Sequence, residues 1–125
     1  MECTCTCALY VGCSLTMEVY VKTQQKGLHM VSVGDLAVAE LYGSQICCLN
    51  RTQKLLTLAH CGWTTNSTAR ALNTFFEQYG VRGRAYRRGD NVYVDIGTVT
   101  GFALAATPTF FDLSPKDLGL EVGNA

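Results

Sequence analysis

The feature that most constrains the fold is residues 67–79, where apolar side chains recur at the spacing of an α-helix. One face of this helix would be apolar and would carry Leu72, Phe75, Phe76 and Tyr79. The opposite face would be polar and would carry Arg70, Asn73, Thr74 and Glu77. Ser67 and the hydroxyl residues before it are suitable N-caps, and Gly80 suits the left-handed residue that ends a helix. The sequence therefore predicts an amphipathic helix that must pack on an apolar surface.

Short apolar stretches separated by turn residues predict antiparallel strands around this helix. They comprise residues 17–22, 35–42, 45–49, 54–60, 84–88, 92–96 and 102–105. Gly89-Asp90-Asn91 is typical of a hairpin turn, and Ser114-Pro115 is typical of the start of a short helical turn. Residues 36–41 are also compatible with a helical turn, because they contain two alanines. Residues 23–29 are expected to form a loop.

These elements predict an α+β fold, with an antiparallel sheet of five or six strands and one main helix packed on one face. With 125 residues the chain has the length of one ordinary domain. We expect residues 17–125 to form that domain, preceded by a Cys-rich leader over residues 1–16. In the predicted core the apolar face of the helix packs on Leu56 and Leu58 of the strand at residues 54–60 and on Val92 and Val94 of the strand at residues 92–96.

Charge is balanced overall but uneven along the chain. Ten basic and ten acidic residues give a net charge of zero, which favours neither nucleic acid nor a membrane surface. Residues 51–88 nevertheless contain seven basic residues and one acid, Glu77, whereas acids dominate from residue 89 onwards. No stretch approaches the roughly 20 apolar residues of a membrane-spanning helix, so we expect no membrane association.

Seven cysteines are many for this length, and four of them lie before residue 14: Cys3, Cys5, Cys7 and Cys13. No secretory signal is evident, which favours free thiols in a reducing compartment and a cytoplasmic location. Zinc sites usually combine two ligand pairs with two to four residues inside each pair. Neither pair is evident here, so we predict no metal site and no cofactor.

The first candidate site is the basic and aromatic hairpin near residue 89. The candidate residues are one arginine of the predicted helix and six residues in or beside the hairpin: Arg70, Arg82, Arg84, Tyr86, Arg87, Arg88 and Tyr93. Arginine neutralises phosphates and tyrosine stacks on bases, so this set suits single-stranded nucleic acid. The same residue types are enriched at protein interfaces, so a protein partner is equally compatible. The plainer alternative is a solvated hairpin whose arginines pair with Asp90, Asp95 or Glu77.

The second candidate site is the turn before the helix, which contains Trp63, Thr64, Thr65, Asn66 and Ser67. Exposed amides and the helix dipole favour an anion at a helix N-terminus, so a phosphate or small-ligand pocket is one interpretation. The alternative, which we favour, is that the tryptophan covers the core and the hydroxyl groups satisfy the helix end.

No catalytic constellation is evident in the sequence. His60 and Cys61 are adjacent, and neighbouring strand residues point to opposite faces, so they do not form a nucleophile–base pair. His29 is distant in the chain, and the sequence contains no phosphate-binding glycine loop and no Gly-x-Ser-x-Gly motif. We therefore favour a protein without enzyme activity and predict no catalytic residue.

The segment Gly62-Trp63-Thr64-Thr65-Asn66-Ser67-Thr68-Ala69-Arg70-Ala71-Leu72-Asn73, between short strands and a hairpin, resembles small phage-encoded proteins of unknown function. The resemblance covers residues 35–96. The chain differs in lacking a histidine after Arg70 and in carrying extra segments at both ends. The resemblance implies viral origin and an accessory role, and it brings no known chemistry.

Three functional hypotheses follow from these observations. The leading one is a non-catalytic binding protein, phage-encoded, that occupies a host or viral macromolecule in the host cytoplasm, for example to inhibit a defence complex. The second is nucleic-acid binding through residues 82–88. The third is a small-ligand or phosphate pocket at Trp63. The expected partner is a protein or nucleic acid, and assembly into a homo-oligomer is compatible with the sequence.

Overall fold

The computed structural model describes residues 18–118, which contain nine strands, one α-helix and one 3₁₀ helix. The strands are β1 (Glu18–Val21), β2 (Leu28–Val33), β3 (Leu36–Leu41), β4 (Ser44–Asn50), β5 (Leu55–Leu58), β6 (Gly83–Arg88), β7 (Asn91–Ile96), β8 (Val99–Ala103) and β9 (Thr109–Asp112). The α-helix, α1, spans Asn66–Tyr79, and the 3₁₀ helix spans Pro115–Leu118. The predicted leader over residues 1–16 lies outside the described residues.

The larger sheet has six antiparallel strands in the order β1-β2-β3-β4-β5-β9. Its β3–β4 turn is Tyr42-Gly43, and both residues have positive φ (51° and 83°), which a type I′ hairpin requires. The Tyr42 ring packs so closely on Gly27 that a Cβ there would lie 2.3 Å from a ring carbon. Glycine at position 27 therefore lets the β1–β2 loop and the β3–β4 turn pack together.

The predicted meander is confirmed, with two corrections. The helical alternative for residues 36–41 is wrong, because β3 pairs along its whole length with β2 and β4. The predicted loop over residues 23–29 extends too far, since β2 begins at Leu28. No strand was predicted over residues 28–33 or 109–112, so β2 and β9 are strands that the sequence did not indicate. The pairing of β9 with β5 joins residues about 55 positions apart.

The predicted hairpin belongs to a second sheet. β6 and β7 are joined by Gly89-Asp90, and β8 pairs with β7 to complete a three-stranded antiparallel sheet. We expected a single sheet of five or six strands with the hairpin in it. The structure separates them because α1 carries the chain away from β5, and β9 takes the place beside β5. The α+β fold class is confirmed.

Helix α1 packs against β3 and β4 of the larger sheet and against β6 and β7 of the smaller sheet. Its bounds match the predicted residues 67–79 to one position, and Gly80 ends it with φ of 72°. Leu72, Phe75 and Phe76 are buried in one cluster with the predicted core residues of both sheets, namely Leu56, Leu58, Val92 and Val94. Tyr79 is half-buried against the same cluster, 4.7 Å from Phe75 between ring centres. The predicted core is therefore confirmed.

Asn73 holds the edge strand β6 against the helix. Its side-chain amide donates to the Ala85 carbonyl (2.8 Å), and its side-chain oxygen accepts from the Ala85 amide (2.7 Å). These bonds satisfy both main-chain groups of one residue on the sheet edge. Asn73 is exposed, as expected for the polar face of the helix, and its side chain still reaches β6 because the small sheet packs beside α1.

Replacing Phe75 tests the helix as the centre of the core. Phe75 is fully buried, and Phe75→Ala is expected to lower the free energy of unfolding by about 3–5 kcal/mol, since it removes buried surface and leaves a cavity. Phe110→Ala is the matched control, because Phe110 is 53% exposed. Urea unfolding measures both variants. Equal losses would show that α1 does not organise the core.

Candidate functional site

The outer face of the three-stranded sheet carries polar and aromatic side chains in a regular pattern. Along β7, Val92, Val94 and Ile96 are buried and the residues between them are partly exposed. Tyr93 and Asp95 therefore face outward, as predicted from the alternation. Cross-strand pairing sets three β6 residues beside them: Arg84 opposite Asp95, Tyr86 opposite Tyr93, and Arg88 opposite Asn91. We call this surface the tyrosine face.

The centre of the tyrosine face is a pair of tyrosine rings. Tyr86 and Tyr93 have ring centres 6.0 Å apart and planes inclined by only 16°. The Arg84 guanidinium carbon lies 4.9 Å from the centre of the Tyr86 ring, within the range of a cation–π contact. Two nearly parallel, partly exposed rings thus lie side by side on neighbouring strands.

Asp95 connects all three strands of the small sheet. Its Oδ1 accepts from the Gly101 amide of β8 (2.7 Å) and the Tyr86 hydroxyl (3.3 Å), and its Oδ2 accepts from Arg84 Nε (3.1 Å). The Gly101 amide, followed by the Arg84 side chain, lowers the pKa of the Asp95 carboxyl below its ordinary value. A charged Asp95 therefore orients Tyr86 and Arg84 through hydrogen bonds within the sheet.

The Gly101 amide can reach Asp95 because the β7–β8 pairing is irregular. The register shifts between Val94 and Ile96, which are opposite Phe102 and Val99 respectively. Gly101 has φ of 64°, and a Cβ at this position would approach the Tyr86 hydroxyl to 3.8 Å. The bulge directs a main-chain donor at the carboxylate while leaving room for the tyrosine.

The predicted basic set does not form one patch. The structure brings Arg84, Tyr86, Arg88 and Tyr93 together on the tyrosine face. Arg87 lies on the other face of β6, because neighbouring strand residues alternate between faces. Its Nε donates a hydrogen bond to the Thr64 carbonyl (2.9 Å) beside the start of α1.

The other two predicted arginines lie elsewhere. Arg82 precedes β6 and lines a cleft of about 680 Å³ with Lys116 and Asp117. Arg70 lies on α1 and lines a cleft of about 570 Å³ with Lys22 and Glu77. Pairing with an acid, the plainer alternative for this hairpin, is found for Arg84 and Asp95.

At the second predicted site, Trp63 packs on and hydrogen-bonds to neighbouring residues of the same chain. Trp63 is 38% exposed and packs against Tyr42 with ring centres 5.4 Å apart. Its main-chain carbonyl accepts from the Thr68 hydroxyl, and its indole N–H donates to Ser44. Neither of the two clefts is lined by residues 63–67.

The hydroxyl residues of that turn were expected to cap the helix with their side chains, but the side chain of the N-cap residue makes no such hydrogen bond. This N-cap residue of α1 is Thr65. The main-chain carbonyls of Thr64 and Ser67 accept from Arg87 and Gln25 respectively. Asn66 begins the helix and is exposed. The turn is thus tied to its neighbours mainly through main-chain carbonyls.

The adjacent His60 and Cys61 do not provide a nucleophile. We expected free thiols, but Cys48 and Cys61 each take part in a disulfide bond, and a disulfide sulfur offers no thiolate. The expectation is wrong at these two positions because disulfide formation depends on which cysteines the fold brings together. His60 Nδ1 accepts a hydrogen bond from the Gly62 amide (3.0 Å), and partial burial lowers the pKa of its imidazole.

Asp95 and Gly101 are the site residues that sequence reasoning did not select. Strand alternation indicated that Asp95 faces outward and could pair with an arginine. No sequence signal indicated Gly101, because its contact with Asp95 depends on the β7–β8 register shift.

Within residues 18–118, no group of three or more histidine, cysteine or acidic side chains is arranged to hold a metal ion. No helix in the same range is long and apolar enough to cross a membrane. Comparison with known proteins found no matching family model, no matching curated protein and no matching solved structure.

The Asp95 network predicts an ordered set of pKa changes. Arg84→Met is expected to raise the pKa of Asp95, because it removes a charged donor, but not fully to its ordinary value, since the Gly101 amide remains. NMR titration that follows the Asp95 carboxyl carbon measures this pKa. The control is Arg88→Met, on the same face without a hydrogen bond to Asp95; an equal rise there would contradict the proposed contacts.

Acid is expected to weaken the turn at His60. Because the folded-state pKa of His60 lies below its unfolded value of 6.5, the unfolded chain binds more protons near and below that pH. The His60 contribution to stability is therefore present above pH 6.5 and lost as pH falls. His60→Asn retains an acceptor for the Gly62 amide but does not titrate. Thermal unfolding followed by Trp63 fluorescence should show a smaller acid loss in this variant; an unchanged loss would contradict the assignment.

Proposed function

We propose that this chain is a non-catalytic binding protein and that the tyrosine face is its contact surface for a protein partner. The observation that carries the proposal is the pair of nearly parallel rings, Tyr86 and Tyr93, in which Tyr86 is held by a hydrogen bond to Asp95 before any partner binds. Tyrosine and arginine supply much of the binding energy in protein interfaces. Side chains already held in place lose less conformational entropy on binding, which favours affinity.

The charges on the tyrosine face favour a protein over a nucleic acid. Binding a polyanion draws its affinity from several cations that neutralise phosphates. On this face Arg84 is paired with Asp95, which leaves Arg88 as the other predicted cation. Arg70, Arg82 and Arg87 lie in other parts of the structure. The face therefore offers aromatic surface with little excess positive charge.

Single-stranded nucleic acid is the second candidate, and the geometry of the tyrosine rings supports it. Nearly parallel aromatic rings on a sheet face are a common platform for stacking bases. The small-ligand hypothesis at Trp63 gains no comparable support, because Trp63 packs on Tyr42 and the carbonyls of Thr64 and Ser67 already accept hydrogen bonds from Arg87 and Gln25. We therefore do not carry a phosphate pocket forward.

The biological setting is also a proposal. The resemblance over residues 35–96 supports a phage-encoded accessory protein that acts on a host or viral macromolecule, with inhibition of a defence complex as one form. Disulfide bonds at Cys48 and Cys61 are unusual in a reducing cytoplasm. We accordingly favour an oxidising compartment over the cytoplasmic location expected from the sequence.

Quantitative capture with matched variants tests the proposed surface. Wild-type protein and a Tyr20→Ala control, whose substituted side chain is 72% exposed on the other sheet, are expected to retain the same stoichiometric protein from a lysate of the source cell. Tyr86→Ala and Tyr93→Ala are expected to weaken that interaction about tenfold or more, since hot-spot residues contribute about 2 kcal/mol or more and about 1.4 kcal/mol is a tenfold change in affinity. Retention of the partner by both tyrosine variants would contradict the proposal.

The same proteins distinguish the nucleic-acid candidate. Binding to a fluorescent single-stranded oligonucleotide is measured between 50 and 200 mM salt (on the order of the range over which phosphate contacts weaken strongly). Affinity that falls steeply with salt and disappears in Tyr86→Ala would favour nucleic acid over protein. Absence of binding would remove this candidate.

A further inference from the structure

Strand β9 forms one edge of the larger sheet, because it pairs with β5 on one side and no strand within residues 18–118 pairs with its other side. A cleft of about 680 Å³ lies beside this edge. It is lined by residues 95–99, at the β7–β8 turn, and by residues 110–112 of β9. Phe110 and Val99 are 53% and 38% exposed. The edge of the sheet is therefore accessible beside a partly apolar cleft.

The hydrogen-bond pattern shows which main-chain groups of β9 remain at that edge. In an antiparallel pair, only every second residue directs its amide and carbonyl at the neighbouring strand. The Leu113 amide donates to the Lys54 carbonyl (2.8 Å), so alternate residues before Leu113 also bond to β5. Phe110 and Asp112 lie between those residues and direct their main-chain groups away from β5. Within residues 18–118, these four groups have no other hydrogen-bond partner.

The other side of β5 supports this assignment. The Ala59 amide donates to the Ile46 carbonyl (3.0 Å), so the odd-numbered residues of β5 bond to β4. The even-numbered residues are left to bond to β9, where Leu56 is opposite Phe111. The two sides of β5 thus give the same alternation along β9.

The next edge-facing position at each end of β9 is closed. Pro108 has no N–H group and cannot donate to an added strand. Ser114 uses both of its main-chain groups on Asp117, since its amide donates to Oδ2 (3.0 Å) and its carbonyl accepts from the Asp117 amide (2.9 Å). Proline is one of the devices that protect sheet edges from unwanted pairing. The open edge is therefore confined to Phe110 and Asp112, which matches a short extended segment.

Two cations, Arg82 and Lys116, line the cleft. Within the part of the chain that the structure describes, no carboxylate lies within ion-pair distance of either. Asp95 and Asp117 also line the cleft, but both already accept hydrogen bonds within the chain. The side chain of Asp112 lies on the face of β9 that is turned away from the core, because its neighbour in the strand is buried. The cleft therefore favours an occupant with an acidic group.

We propose that the free edge of β9 binds an extended segment of a partner protein as an added strand, with an acidic side chain directed at Arg82 and Lys116. Phe110 and Asp112 offer alternating donors and acceptors, and the main chain of an extended polypeptide satisfies both. The side chains of the added segment alternate between the cleft and the exposed side of Phe110. This edge belongs to a different sheet from the tyrosine face and does not depend on the function proposed for that face.

Amide hydrogen exchange of the full chain, followed by NMR, tests the added strand. The probe is a short capped peptide in which valine and threonine alternate between two terminal glutamates. In the free protein, the amides of Phe110 and Asp112 are expected to exchange faster than that of Phe111, which is bonded to β5. The peptide is expected to slow exchange at Phe110 and Asp112. The same peptide with an N-methylated main chain is expected not to bind, because it has no N–H groups to donate.

Variants at one position separate the main chain from the side chain. Asp112→Pro removes an edge-facing N–H that β5 does not use, and proline is tolerated on edge strands. It is expected to weaken peptide binding about tenfold or more, because a peptide carbonyl loses its donor. Asp112→Ala is the matched control, which keeps the main chain and is expected to bind at least as tightly as wild type. Arg82→Gln is expected to weaken binding of the glutamate peptide but not of its glutamine analogue.

Three outcomes would overturn the proposal. The first is unchanged exchange at Phe110 and Asp112 with the peptide in excess. The second is equal binding of the peptide by Asp112→Pro and Asp112→Ala. The third is a dimer of the free protein in sedimentation experiments that Asp112→Pro abolishes, because the edge would then bind a second copy of this chain.

Discussion

The burial of helix α1 against two sheets is the interaction on which the rest of this structure depends. A helix of 14 residues is only marginally stable by itself in water, so its apolar face needs the sheets. Each sheet in turn exposes an apolar inner face that α1 covers with Leu72, Phe75 and Phe76. Asn73 adds a directional contact by bonding both main-chain groups of Ala85, which fixes the small sheet relative to the helix.

The candidate binding surface follows from that arrangement. The small sheet turns Val92, Val94 and Ile96 towards α1, and strand alternation then directs Tyr93 and Asp95 outward. Asp95 accepts hydrogen bonds from side chains of β6 and from the main chain of β8, so the tyrosine face exists only when all three strands are paired. Folding thus supplies the orientation of the aromatic rings that a partner would otherwise have to impose.

The larger sheet is unusual in being buried on both faces at its centre. An antiparallel sheet commonly has one solvated face and shows alternating apolar and polar residues. Here Ala37, Val38 and Ala39 are fully buried in succession along β3. This two-sided burial explains why residues 36–41 were also compatible with a helical turn, because the strand lacks the alternation that distinguishes it from a helix.

The sequence by itself determined the helix, the β6–β7 hairpin and the meander, because each depends on local periodicity and on turn residues such as Gly80 and Gly89. It also determined that Tyr93 and Asp95 face away from the core. Only the tertiary structure decided that the hairpin forms a separate sheet, that Arg82 and Arg87 leave the tyrosine face, and that Gly101 binds Asp95. It also decided the state of Cys48 and Cys61. These outcomes depend on residues that are distant in the chain and on a strand register, and neither leaves a periodic pattern in the sequence.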